Sequence, residues 1–286
     1  MPHSGVPTTT LPTYAATRYV HPLREGGSLP AVVDTADGGL FVVKFRGAGQ
    51  GARVLIAELI VGGLAHRLGL PAPELALVEL SPRFGRSEPD PEIQELLRRS
   101  HGLNVGMRYL DGAFNFDLTA AGELLPPEVA ARIVWLDAYT TNPDRTHRNP
   151  NLMVWGRQPW LIDHGAALYA HHDWDSVDDE RTRTRFPLIR SHLLLAGAGD
   201  LRAADAECAE LLQGDAIRDV VATVPDALLM DVAAGAGGFP SADAARERYV
   251  RYLALRLAAP RDFVDEAAAA QGQVRSEPPI PMQARR

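Results

Sequence analysis

The sequence predicts an α+β protein in two lobes, a β-rich amino-terminal lobe followed by a mainly helical one. Two observations predict it: short apolar runs bounded by glycine and proline fill residues 1–109, and helix-period patterns dominate from residue 110 onward, interrupted by one hairpin. The expected boundaries are 1–109 for the first lobe, 110–270 for the second, and 271–286, with three prolines, for a disordered tail.

Residues 1–17 read as a loose arm rich in Pro, Thr and Ser. Strands are expected at 17–22 and 31–34. Thr35-Ala36-Asp37-Gly38-Gly39 is a turn joining the second to a third strand at 40–45. Gly47-Ala48-Gly49-Gln50-Gly51 breaks the chain before a helix at 52–68, which Gly69 and Pro71 close. A strand at 76–80, a surface helix at 91–100 and a strand at 103–110 complete this lobe. Pro126-Pro127 opens a helix that must stop near Thr140, because Pro143 cannot continue it. A hairpin at 151–163 follows, then helices near 187–197, 201–213, 215–223 and 241–258.

Composition narrows the function classes. With 46% hydrophobic and 23% charged residues the chain is an ordinary globular protein, and a net charge of −7 argues against a broad nucleic-acid surface. No apolar run is long enough for a membrane helix, and residues 1–14 lack a basic segment followed by an apolar one, so a cytoplasmic setting is expected. The lone cysteine, Cys208, excludes an internal disulfide and a Cys-based zinc site, and reads as a small helical residue.

Of the 29 basic residues only Lys44 is a lysine, and it sits inside the apolar strand Leu40-Phe41-Val42-Val43-Lys44-Phe45. A compact ammonium is not interchangeable with a guanidinium at a tight site, so its survival there points to function. Helix 52–68 carries a stripe of Val54, Glu58, Val61, Ala65 and Leu68, which puts Glu58 among aliphatics. A carboxylate there needs a cation, and Lys44 lies one loop upstream. The other reading has Glu58 reaching out at the helix edge.

Asn142-Pro143-Asp144-Arg145-Thr146-His147-Arg148-Asn149 contains Asp-x-x-x-x-Asn, the spacing at which phosphoryl-transfer loops place a base and a magnesium ligand. Residues 151–155 and 159–163 are apolar runs around Gly156-Arg157-Gln158. A hairpin there sets 149 or 150 opposite 163 or 164. Asn149 and Asp163 then meet beside Asp144, a set of oxygen donors suited to a hard cation that keeps water and phosphate oxygens. Asp163-His164-Gly165 has the Asp-x-Gly form of a kinase metal-binding motif. An ordinary polar hairpin end is the alternative.

Together, Asp144-Arg145-x3-Asn149-x-Asn151, the hairpin, and Ile162-Asp163-His164-Gly165 resemble the HipA-like kinases, bacterial relatives of protein and phosphatidylinositol kinases. Gly26-Gly27-Ser28-Leu29-Pro30 and the strand ending at Lys44 resemble that family's amino-terminal lobe, so the likeness covers roughly residues 20–170. It implies a two-lobed protein-kinase-like fold and magnesium-assisted transfer of the ATP γ-phosphoryl group to a hydroxyl, with a protein Ser/Thr favoured as acceptor over a small molecule. It implies Lys44 on the nucleotide phosphates with Glu58 as partner, Asp144 as catalytic base, and Asn149 and Asp163 on Mg2+. Backbone N–H groups of Gly26, Gly27 and Ser28 would cover the phosphates. The sequence departs from protein kinases in lacking Gly-x-Gly-x-x-Gly before Lys44 and in having Asn142-Pro143 before the catalytic Asp.

Other readings compete. Gly47-x-Gly49-x-x-Ala52 between a strand and a helix matches a dinucleotide fingerprint and would make the chain an NAD(P)-binding oxidoreductase. Against it stand Lys44 inside the strand and the absence of regular βα alternation. His164, His171 and His172 form a candidate zinc set, although adjacent loop histidines are usually solvated. Arg181-Thr182-Arg183-Thr184-Arg185 reads as a solvated charged face or an anion-binding run. A catalytically silent nucleotide-binding module is the non-enzyme alternative, disfavoured because Lys44, Asp144, Asn149 and Asp163 are all present.

Overall fold

The computed structural model describes residues 10–23, 29–49, 51–233 and 238–276. Gly26, Gly27 and Ser28 lie outside the described residues. The chain is β-rich in its amino-terminal part and helical in its carboxy-terminal part.

Strands β1 (Thr13–Pro22), β2 (Ala31–Thr35), β3 (Gly39–Lys44), β4 (Leu75–Leu80) and β5 (Gly102–Arg108) close into a barrel in the order β1-β2-β3-β5-β4. Every pairing is antiparallel except that of β1 with β4, which seals the barrel. Period-two alternation sorts the side chains. Ala31, Val33, Phe41, Val43, Ala76 and Val78 fill the barrel. Val42 and Lys44 therefore face the other way, out of the barrel, as do their cross-strand partners Met107 and Val105.

Helix α1 (Gly51–Arg67) lies against that outer face, with Leu55, Ile60 and Leu64 in one core with Leu75, Leu77 and Val105. It is buried nearly all round because helices α7 (Ala216–Ala222) and α8 (Asp226–Ala233) cover its far side. A Cβ on Gly62 would come 3.0 Å from Leu75, and one on Gly63 2.9 Å from Val220, so both faces need close approach. Helix α2 (Pro91–Arg99), capped by Asp90, links β4 to β5.

The helical part is organised on α4 (Pro127–Tyr139), preceded by the short α3 (Leu118–Ala121). Trp135 stacks on Tyr139 and meets Phe263 edge-on, which fixes α10 (Asp262–Ser276) against it. The helices α5 (Asp179–Thr182), α6 (Leu201–Leu211) and α9 (Ala242–Leu257) complete this part. A second sheet is formed by β6 (Phe114–Asn115), β7 (Leu152–Trp155) and β8 (Gln158–Leu161), in that order.

Several expectations are corrected. Residues 187–197 form a 3-10 turn over Pro187–Ser191 and then non-helical turns. Residues 271–276 are not a disordered tail but the last turns of α10, where the buried Gln271 amide donates to Leu195 O (3.1 Å) and Ala198 O (2.8 Å). The dinucleotide reading fails on topology: β3 runs antiparallel to both neighbours, so no parallel βαβ unit exists around Gly47. Gly47 is needed for packing instead, since a Cβ there would lie 2.7 Å from Arg99 and Ser100. No described helix is long and apolar enough to cross a membrane.

Candidate functional site

Three elements converge on Lys44. β3 ends at it, α1 brings Glu58, and the chain leaving β8 brings Asp163. Lys44 is 3% exposed and Glu58 fully buried, and the two form a direct ion pair. The ammonium also donates to Asp163 Oδ1 at 2.5 Å. Burial disfavours the Lys44 charge, but the Glu58 and Asp163 carboxylates outweigh it and raise its pKa. Burial raises the Glu58 pKa, with Asp163 adding to the shift and Lys44 opposing it. For Asp163, burial is overcome by Lys44 and the Gly165 N–H, so its pKa is lowered.

Asp163 sits at φ +55°, and Asn151, whose carbonyl accepts from Ile162 N at 3.0 Å across the hairpin end, sits at φ +48°. Asp and Asn tolerate this left-handed region better than other side chains. Gly165 is required by contact: a Cβ there would lie 2.5 Å from Val54 and 3.3 Å from Glu58 Oε1. The Asp-x-Gly run therefore lies directly against α1. Gly165→Ala is expected to push α1 away, separate Glu58 from Lys44, and lower turnover at least about tenfold with roughly 1–3 kcal/mol lost in stability. Steady-state kinetics and denaturant melts check this.

The second centre is Asp144. Its Oδ2 accepts from Asn149 Nδ2 (2.8 Å) and Asn151 Nδ2 (3.1 Å), which orients the carboxylate. The β7–β8 pairing runs from Trp155 opposite Gln158 to Leu152 opposite Leu161, and one further bond, Ile162 N to Asn151 O at 3.0 Å, lies at the hairpin's open end. The loop bearing Asp144 hangs on a buried carboxylate, Asp137 of α4. Asp137 accepts from Arg145 Nε (2.6 Å), Asn142 Nδ2 (2.9 Å) and His192 Nε2 (2.9 Å). Leu194 N donates to His192 Nδ1 at 3.1 Å, so the imidazole carries its proton on Nε2, toward Asp137. Arg145 also donates to Asn151 O, joining the loop to the hairpin. The carboxy-terminal carbonyls of α4 are met by buried Arg256, which donates to Ala138 O (2.8 Å) and Tyr139 O (2.6 Å).

A cleft of about 520 Å³ opens beside Lys44 and Asp163. Val42, Met107, Leu110, Met153 and Ile162 give it apolar walls, while Lys44 and Asp163 stand at its polar end. That combination, apolar surface with a few convergent charges, is typical of a small-molecule site.

The family model described as HipA-like kinase matches residues 17–181, more than half of the chain. The chain belongs to the HipA-like kinase family. Among solved structures it is similar to a Helicobacter pylori proinflammatory kinase, CtkA, at 13% identity and a TM-score of 0.50, over 92% of this chain and 99% of that one. At that identity the likeness concerns the fold. No curated protein matches the chain.

Sequence reasoning missed some groups of this HipA-like kinase. Asp137 stands alone in Ile133-Val134-Trp135-Leu136-Asp137-Ala138, the same signal of a carboxylate in an apolar helix that singled out Glu58. His192 and Asn142 carry no local signal, because their roles come from tertiary contact. The competing zinc reading of His164, His171 and His172 finds no support: among the described residues no group of three or more His, Cys, Asp or Glu is placed to hold a metal. His171 is not a solvated loop residue but fully buried, with Nδ1 3.2 Å from Tyr249 Oη. The Arg181–Arg185 run is not simply a solvated face either, since Thr182 is buried and Arg183 donates to Ala258 O at 3.2 Å.

The buried groups set a pH dependence. Burial lowers the pKa of His171 and His192, so both are neutral in the folded chain. The unfolded chain takes up their protons near the ordinary value of about 6.5, so this stability is present above that pH and lost below it. Burial alone would raise the Asp137 pKa, but Arg145 and His192 hold it well below the usual carboxylate range. Its contribution is present above about 3.9 and lost below. Glu58, with a raised pKa, works in the opposite sense. The melting temperature is expected to be level above about pH 7, to fall below about 6.5, and to fall more steeply below about 4. Melting curves across that range check it.

Proposed function

We propose that this HipA-like kinase is an ATP-dependent, magnesium-requiring phosphotransferase, its barrel and helical parts acting as two lobes around the cleft. The observation that carries the reading is Lys44, joined to both Glu58 and Asp163 at the polar end of an apolar cleft. The purine lies between Val42 and Met107 on one side and Met153 and Ile162 on the other, with the phosphates directed at Lys44. Leu23 and Pro30, which flank the Gly26-Gly27-Ser28 segment, line the cleft and are joined by Leu23 N donating to Pro30 O at 2.7 Å. This supports a phosphate-covering role for that segment.

The donor set fits magnesium. Lys44 with two carboxylates leaves the cluster one negative charge in excess, and Asp163 is partly open, with a side chain 41% exposed. Asn149 uses its amide nitrogen on Asp144, which leaves its oxygen for a cation. Two oxygen ligands alone make a poor cage, but they suit an ion completed by water and phosphate oxygens. When bound, magnesium supplies charge neutralisation on the phosphates.

In the reaction the acceptor hydroxyl oxygen bonds to the γ-phosphorus as the bond to the β,γ-bridging oxygen breaks. ADP leaves, and the hydroxyl proton passes to Asp144. Asn149 and Asn151 hold Oδ2 of Asp144, so Oδ1 is the oxygen turned to the acceptor. Lys44 binds the phosphates and orients them. The family's kinship with protein kinases favours a protein serine or threonine hydroxyl as acceptor.

Thermal stabilisation tests the reading. ATP with magnesium at about a hundredfold over Kd should add roughly 2.7 kcal/mol, and NAD at equal concentration much less. Lys44→Arg keeps the charge but does not fit between two carboxylates, so it is expected to weaken nucleotide binding or turnover at least about tenfold, roughly 1.4 kcal/mol. Stabilisation by NAD alone would overturn the proposal.

A further inference from the structure

The activity proposed above needs Glu58 held against Lys44, and the way α1 is held assigns a role to a residue that touches neither. Arg53, two residues into α1, donates from Nε to the backbone carbonyl of His171 at 2.8 Å. His171 belongs to the segment that follows Asp163-His164-Gly165. Its ring is buried and bonded to Tyr249 of α9, so the accepting carbonyl sits on an anchored point. Along the same edge of α1, Val54 meets Gly165 and Glu58 meets Lys44. The amino-terminal half of α1 thus runs beside residues 163–171, and Arg53 closes the far end of that contact.

The other half of α1 is fixed independently. Val220 packs on Gly63, and Arg67 pairs with Asp219 of α7 at 2.6 Å. The loop before α1 is tied as well, by Arg46 to Asp231 of α8 at 3.0 Å. The end bearing Glu58 meets the segment from Asp163 onward through Val54–Gly165 packing and the His164 N–H donated to the Glu58 carboxylate, and Arg53 adds a charged hydrogen bond at the far end, to His171 O. A guanidinium bonded to a buried-side carbonyl is a strong tie, and its acceptor is backbone, present whatever the state of neighbouring side chains.

We propose that Arg53 is a positioning residue that latches the Glu58-bearing end of α1 to the segment after Asp163-His164-Gly165, so that the Lys44–Glu58–Asp163 cluster stands assembled without modification of that segment. The proposal rests on the phosphotransferase reading for its effect on catalysis, and on geometry alone for the latch. Arg53 acts on turnover through α1. It touches neither nucleotide nor acceptor.

Two variants separate the latch from mere bulk. Arg53→Met keeps the aliphatic stem and removes the donor, while Arg53→Lys keeps a donor at similar reach. Hydrogen exchange of residues 51–58 and 166–172 is measured in both, alongside kcat and KM for ATP with magnesium and the melting temperature. Arg53→Met is expected to raise exchange in both segments together, and to lower kcat about tenfold with the melting temperature within a few degrees of the unmodified chain. Arg53→Lys should restore most of both. Equal behaviour of the two variants, or unmodified exchange and turnover in Arg53→Met, overturns the proposal. If the unmodified chain transfers no phosphate, the functional reading fails, while the paired exchange still decides the latch.

Discussion

Asp144→Asn is expected to cut phosphoryl transfer by about two orders of magnitude or more while leaving ATP affinity within a few-fold. The substitution keeps an oxygen that Asn149 and Asn151 can orient, so the loop geometry survives. It removes the group that takes the acceptor proton, which matters only as transfer proceeds. Asp163→Asn makes the contrast. Asp163 bonds Lys44 and faces the cleft, so losing its charge alters the ground-state complex. Magnesium-dependent nucleotide binding is expected to weaken along with turnover. Calorimetry of both variants, with and without magnesium, reads the difference. Loss of nucleotide binding in Asp144→Asn with full activity in Asp163→Asn would reverse the roles assigned.

The largest stability effect is expected at Asp137. Its carboxylate is fully buried and meets Arg145, itself 1% exposed, with Asn142 and His192 as further partners. Asp137→Leu strands a guanidinium in the core, and breaking a buried pair from one side costs about 3–5 kcal/mol. In a chain of this size that lowers the melting temperature by roughly 10 °C. Adding Arg145→Met removes the stranded charge and should recover much of the stability, because a well-packed apolar pair often replaces a buried ion pair at little cost. Transfer should stay low in the double variant, since Arg145 no longer ties the Asp144 loop to Asn151. Recovery of both stability and transfer would show that the network serves packing alone.

Much of this was legible before any coordinates, for reasons that differ between elements. Strands β2 to β5 and helix α1 declare themselves by clean periodicity between glycine and proline boundaries, so the sequence places them within a residue or two. Lys44 and Glu58 stand out because a charge in an apolar element demands a partner. The β7–β8 hairpin is legible too, since a two-fold period fixes its register once the turn is located.

What stayed hidden depends on contacts far apart in the chain. β6 is only two residues long and exists through pairing with β7. Residues 187–197 have helix-like spacing. They fold otherwise because Phe186 adopts φ +60°, and the chain then turns to bridge Thr146 and hand His192 to Asp137. Tertiary bonds there override a local preference. At the carboxy-terminal end the prolines beyond residue 277 obscured a helix that Gln271 anchors by its side-chain amide. Asp137 could have been found by the criterion that found Glu58, but nothing in the sequence showed which cation would meet it.

The most direct test of the central claim follows the fate of each phosphate of ATP. The purified chain is incubated with magnesium and ATP labelled on the γ-phosphate, in parallel with ATP labelled on the α-phosphate, together with cell lysate. The unmodified chain should transfer label to protein from the γ-position and not from the α-position, and Asp144→Asn should lose that transfer. Label arriving from the α-position, or γ-transfer that persists undiminished in Asp144→Asn, would contradict the account.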